Sequence, residues 1–524
     1  MWIWIRWTTA ISQKKPVRPP QQPADEKPLD KLITLQLRKA GLTVCLFLFI
    51  IKLAAQPEGW LTKPAEQEAF RMALNLELAE VRTEFQNLNN PQALYLTSLT
   101  EILELLITED ESLFDKYENA YEKRLQSISK ITPKTPEALY ISAELRLQWA
   151  FVYLKFQHEF DAAWNIRQSY LLAQECLNRF PVFTPAKKTY GLLNIMLGSV
   201  PDKYQWVLSV LGMRGSVDKG LEDLRLIQAS DNPTLATEAS LILYLAQGLI
   251  LQQPQLALQE LSAWPMDRHT RLSLFLAAVL AIKNSESEKA LSYLDALSLQ
   301  QEGISISYAD YLKGEVYLHK GDYPTAIASY KNFLQTYSGK NFVKDALYKM
   351  AICYWLPGDK SNAEVYARRA RTSGLEYAEA DRYAARSLAE NELPNPKLTK
   401  IRYATDGGYY ETATRIIESV KDEDLPGLKD RTEFTYRKAR LYHKLDDSEN
   451  SKKFYLQTIN LAGTNPWYFA PNACLQLGYL YMAEGDSKRA ASYFRKALEY
   501  KKHEYKNSID SKARSALGQL QTEK

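Results

Sequence analysis

Apolar residues recur at three- and four-residue intervals through most of the chain. Residues 64–88, 91–107 and 137–178 carry this i, i+3, i+4 spacing, with breaks at Pro91, Pro133 and Pro136. Such spacing lays one apolar stripe along each helix, and proline ends the run because it cannot donate to the preceding turn. No stretch alternates polar and apolar residues for long enough to propose a strand. The pattern predicts an all-α protein.

Beyond about residue 271 the helical stretches become regular. The clearest unit runs Tyr311-Leu312-Lys313-Gly314-Glu315-Val316-Tyr317, then Gly321-Asp322-Tyr323, then Ala326, Tyr330 and Phe333. A small residue is followed by an aromatic three later, Gly seven later, Ala twelve later and an aromatic sixteen later. The same template fits Ala351, Tyr354, Gly358, Ala363 and Ala370, and fits best at Leu477-Gly478, Tyr481, Gly485, Ala490, Phe494 and Ala497. Weaker copies anchor at Ala439 with Tyr442 and Tyr455, and around Gly408 with Ala413 and Ile417; degenerate ones pair Ala278 with Ala290 and Leu245 with Ala257. Anchors at 245, 278, 314 and 351 are 33, 36 and 37 apart, and those at 401, 439 and 478 are 38 and 39 apart. The unit resembles the tetratricopeptide repeat (TPR), whose period is about 34 residues. The resemblance implies a TPR-like helical-hairpin solenoid: the small residue lets two helices approach, Gly closes the turn, and Ala sits at the crossing. The gap between 351 and 401 leaves room for one extra helix, near 375–392.

Residues about 137–260 resemble the tetratricopeptide-repeat-39 and inclusion-body-clearance family. The carriers are Gly191 to Gly198 with Ser199 and Pro201, then Val210-Leu211-Gly212-Met213-Arg214-Gly215, then Gly220-Leu221-Glu222-Asp223-Leu224. Met213 stands where the family tends to have Phe, and Asp202 where a second Pro is usual. This resemblance implies a helical TPR-like region and no chemistry.

At the N-terminus, Lys31, Arg38 and Lys39 precede the apolar run Leu42–Ile51, and Lys52-Leu53-Ala54-Ala55 follows it. A basic flank, a short apolar core and small residues at the exit are the parts of a secretory signal peptide. The run is shorter than the roughly 20 residues a membrane-spanning helix needs. The expected organisation is a disordered or misassigned leader at 1–36, a signal peptide at 37–55 cleaved after Ala55, an irregular helical region at 60–270, and the TPR array at 271–524. The expected location is periplasmic or otherwise in the cell envelope. The alternative is an uncleaved anchor that brings residues 42–55 to the inner membrane, with the chain serving as a structural subunit of an envelope assembly.

Composition adds little to this picture. With 66 basic against 62 acidic residues the net charge is only +4, and no basic stripe invites nucleic acid. The 33 tyrosines are unusual beside 17 phenylalanines; a ring with a polar tip suits helix faces half buried between repeats. Cys176, Cys353 and Cys474 lie far apart in apolar helical patterns and read as small buried hydrophobes. The histidines 158, 269, 319, 443 and 503 are scattered singly, and no P-loop, GxSxG or HExxH motif occurs. No cofactor, metal or catalytic residue is expected.

Binding is what such an array offers. The TPR resemblance implies that four positions of each first helix face the concave groove. They are Tyr308, Tyr311 and Glu315; Tyr348, Ile352 and Trp355; Glu433, Tyr436, Arg440 and His443; and Asn472, Tyr479 and Met482. The groove is then aromatic with a few charges, and it lacks the Lys/Asn set with which some TPRs clamp a C-terminal carboxylate. The expected occupant is a peptide or helix of a protein partner. The competing reading of the tyrosines is that they pack repeat against repeat.

Overall fold

The computed structural model describes residues 60–131, 134–200, 205–390 and 393–522. The leader and signal peptide expected at 1–55 lie outside the described residues. Helices account for the regular structure, and there is no strand among the described residues. The chain divides into two compact units, one of residues up to 251 and one from 252 onward, the latter also taking in 107–111.

In the first unit the longest hairpin joins α1 (Pro136–Lys155) to α2 (Glu159–Arg179), and Thr135 caps α1 by accepting from the Ala138 amide. α3 (Ala186–Gly198) packs on α4 (Val217–Gln228) with backbones touching: a Cβ on Gly220 would lie 2.5 Å from the Gly191 carbonyl oxygen. Only glycine permits that approach. Between α1, α3 and α5 (Pro233–Leu245), the fully buried Lys188 pairs with Glu144 at 2.9 Å and Glu238 at 2.5 Å. The Tyr95 hydroxyl also donates to Glu238. A buried ammonium is tolerable only with such partners.

In the second unit the helices form TPR-like hairpins. They are α6 (Arg271–Lys283) with α7 (Ser287–Leu299), α8 (Ser307–Lys320) with α9 (Tyr323–Thr336), and α10 (Val343–Trp355) with α11 (Lys360–Thr372). A single helix, α12 (Glu379–Ala389), follows. Then come α13 (Pro396–Asp406) with α14 (Tyr410–Glu418), α15 (Leu428–Lys444) with α16 (Ser448–Ala462), α17 (Phe469–Ala483) with α18 (Ser487–Glu499), and a closing α19 (Lys506–Thr522).

The turn between paired helices repeats one device. Gly321 ends α8 at φ 88°, a conformation costly for any residue with a Cβ, and Asp322 then caps α9 by accepting from the Thr325 amide at 3.2 Å. Asp359, Asp447 and Asp486 cap α11, α16 and α18 in the same way. Each cap stabilises its helix by about 1 kcal/mol. Within a hairpin, the small residue of the first helix faces the aromatic of the second. A Cβ on Gly314 would meet the Tyr330 ring at 2.6 Å, and one on Gly478 would meet Phe494 at 2.4 Å. The alanines at the crossings, Ala326, Ala363, Ala413 and Ala490, are fully buried.

A candidate binding recess lined by tyrosine and arginine

Of the groove positions read from the sequence, Tyr308, Tyr311 and Glu315 lie within the packing of the array. Tyr311 is 3% exposed. Its hydroxyl donates to Asp345 at 2.6 Å and accepts from the Lys349 ammonium at 2.9 Å. Lys349 also pairs with Glu315 at 2.5 Å and Asp345 at 2.7 Å, and Tyr330 donates to Glu315 at 2.7 Å. Burial alone would lower the Lys349 ammonium, but Asp345 and Glu315 outweigh it and hold the group above its usual range. Tyr308 stacks on Tyr311 with ring centroids 4.9 Å apart. The expectation that Tyr311 projects into an open groove is therefore corrected: the ion cluster from α8 and α10 closes the space around it. Trp355 is also engaged, donating from Nε1 to the Pro394 carbonyl at 2.8 Å, and Tyr479 packs edge-on against Phe494.

Tyr348, Tyr436 and Arg440 have a different setting. They share one recess of about 370 Å³, formed by α10, α12, α13, α15, α17 and α19. Tyr348 and Tyr436 line it while only 2% and 1% exposed, so they do not stand out as free anchors. Asn472 donates to the Tyr436 hydroxyl at 2.6 Å, and the Tyr436 ring lies 5.5 Å from Phe469. Lys429, Glu390 and Lys512 also line the recess and are exposed.

Three arginines line the interior. Arg402 donates to the Tyr383 hydroxyl at 2.5 Å and lies 3.7 Å from Asp406. Arg440 reaches the other Asp406 oxygen at 3.2 Å. Arg437 binds Glu433 at 2.6 Å and donates to Tyr468 at 3.2 Å. Burial would push the Asp406 carboxyl up, but Arg440, Arg402 and Arg437 outweigh it and hold it below its usual range. Burial likewise opposes ionisation of Tyr383, yet Arg402 brings its phenol below the usual value. Both directions report a positive local potential.

The recess can bind polar groups beside rings; nothing in it is arranged as a nucleophile with a base. No group of histidine, cysteine or carboxylate side chains suited to a metal occurs among the described residues. Arg402, Asp406, Arg437 and Lys512 were absent from the positions singled out in sequence. Arg402 was within reach of the repeat register, standing one residue after the anchor at 401 as Arg440 does after 439. Lys512 has no repeat signal, since α19 follows the last hairpin.

Comparison with known families fits this architecture. Sequence models of the tetratricopeptide repeat match residues 308–339, 433–465 and 471–504. The chain carries tetratricopeptide repeats, and two of the three matched segments contribute residues to the recess. Among solved structures, the chain is similar to the P58(IPK) TPR domain at 16% identity, covering 77% of this chain and 98% of that one, with a TM-score of 0.22. Similarity extends to the APC/C hetero-tetramer Cut9-Hcn1 at 11% identity, covering 90% and 98%, TM-score 0.24. For the human IFIT1 dimer with PPP-AAAA the values are 14%, 82% and 94%, TM-score 0.28. No curated protein matches the chain in sequence.

Proposed function

We propose that this chain is a non-catalytic scaffold of the cell envelope that holds a segment of a protein partner in the recess of its second unit. The observation that carries the reading is the convergence of Tyr348 from α10 with Tyr436 and Arg440 from α15 around about 370 Å³ of free space. Rings with polar tips and arginines dominate the energetics of protein interfaces. Export is supported by the basic flank and apolar run ahead of Ala55. The stretch from Gly191 to Leu224, similar to the tetratricopeptide-repeat-39 and inclusion-body-clearance family, supports an interaction role without chemistry for the first unit.

The test is steric. Ser508 lines the recess from α19 and is only partly buried, so Ser508→Trp should fill the space without disturbing the core. Full-length protein and the variant would be used to capture partners from envelope extracts, with thermal melts alongside. Loss of a stoichiometric partner at an unchanged melting temperature is the expected result. Undiminished capture by Ser508→Trp would rule the recess out.

A further inference from the structure

The charges of the recess do not cancel. Arg402 and Arg440 share Asp406, Arg437 pairs with Glu433, and Lys512 is the fourth cation of the lining. Lys429 and Glu390 pair with each other at 3.3 Å and contribute nothing net. The exposed Lys512 lines the recess and forms no ion pair among the described residues. Glu504, the remaining acid of the lining, is exposed and supplies a third carboxylate. The surplus is therefore about one positive charge beside the tyrosines of the lining.

Resting on the binding function proposed above, we infer that the recess selects an acidic segment of its partner, one Asp or Glu carboxylate seated against Arg440, Arg402 and Lys512, with a neighbouring ring or aliphatic side chain on Tyr436 and Phe469. Arginine forks and a carboxylate make short charge-assisted hydrogen bonds, and they gain strength where water is partly excluded. The size of the surplus decides against a phosphate-rich ligand. One uncompensated charge matches a single carboxylate; a polyphosphate would bring several negative charges beside Asp406, Glu433 and Glu504.

The experiment uses the full-length chain and three probes: a fluorescein-labelled decapeptide of alternating Glu and Tyr, its Gln/Tyr counterpart, and unlabelled pyrophosphate as competitor. Anisotropy titration at low salt should show the Glu/Tyr peptide binding at least ten-fold tighter than the Gln/Tyr peptide, with the difference shrinking as salt rises. Lys512→Gln, a change at an exposed position, should weaken the Glu/Tyr peptide at least three-fold, and Arg440→Gln at least ten-fold, with thermal melts reporting whether each variant folds. Equal binding of the two peptides, binding of neither, or displacement by pyrophosphate at lower concentration than by unlabelled Glu/Tyr peptide would overturn the inference. The steric and charge variants separate the two proposals. If Ser508→Trp abolishes partner capture while Lys512→Gln leaves capture and peptide binding unchanged, the recess binds the partner but not through its acidity.

Discussion

Gly478 offers the sharpest check on the repeat geometry, because two opposing effects act on one methyl group. Gly478 lies inside α17, where replacing glycine by alanine ordinarily stabilises a helix by up to about 1 kcal/mol. Here the new Cβ would stand 2.4 Å from Cε1 and 2.5 Å from Cδ1 of Phe494, far inside van der Waals contact. Phe494 is fully buried, as are Ala490 and Ala497 on its own helix, so the ring has little room to withdraw. Overpacking of this kind costs roughly 1–3 kcal/mol, and it should outweigh the propensity gain by up to about 2 kcal/mol. Gly518 is the matched control: it lies in α19, and a Cβ there meets nothing within 4 Å. Gly518→Ala should therefore be neutral or stabilising by up to about 1 kcal/mol. Urea titration followed by circular dichroism would report both midpoints. If Gly478→Ala raises the midpoint as Gly518→Ala does, α17 and α18 are not in the contact described, and the repeat register fails there.

Tyr311→Phe removes a hydroxyl that both donates to Asp345 and accepts from Lys349. It should destabilise by about 1–3 kcal/mol and leave partner capture per folded molecule unchanged; reduced capture at unchanged stability would return Tyr311 to the binding surface. The buried Asp381, pushed up to about 6 by burial, keeps its proton longer in the folded chain than in the unfolded one. Its contribution thus favours folding most below about pH 4 and fades as pH rises through 6; Asp381→Asn should remove that fall from the urea midpoint, and an unaltered profile would refute it. Cleavage after Ala55 should give a mature N-terminus of Gln56-Pro57-Glu58 on sequencing, and a full-length product retained in the cytoplasm would contradict export.

The helical class and the hairpin register were legible because they depend on residues that act locally or on an adjacent helix. Gly321 with Asp322 writes a turn and a cap within two positions. Gly314 with Tyr330, and Gly478 with Phe494, write a close crossing at a fixed separation of sixteen. Contacts between repeats leave a weaker trace. Asp406 is held by Arg402 four residues earlier and by Arg440 in the next repeat, and only the first of these spacings is visible as a helical pair. Lys512 belongs to α19 and meets the recess only through the closing packing of the array.

The three tyrosines of one repeat position show why register locates a site without deciding whether it is open. Tyr311, Tyr348 and Tyr436 are equivalent in sequence, and all three are nearly fully buried. What differs is the side chain that the following helix sends back. Opposite Tyr311, α10 supplies Lys349, long enough to reach Tyr311, Glu315 and Asp345 together, and it fills the space with a closed ion cluster. Opposite Tyr436, α17 supplies Asn472 where α10 has Asp345, and Gln476 where α10 has Lys349, so the hydroxyl is satisfied but no ion cluster forms on it. The arginines of the recess then share too few carboxylates, and free volume remains in front of them. Replacing Asn472 by Asp, the residue that α10 carries at the equivalent position 345, should give the arginines a carboxylate of the chain's own; loss of Glu/Tyr peptide binding at an unchanged fold is the expected result, and retained binding would show that the charge opposite Tyr436 does not decide what the recess holds.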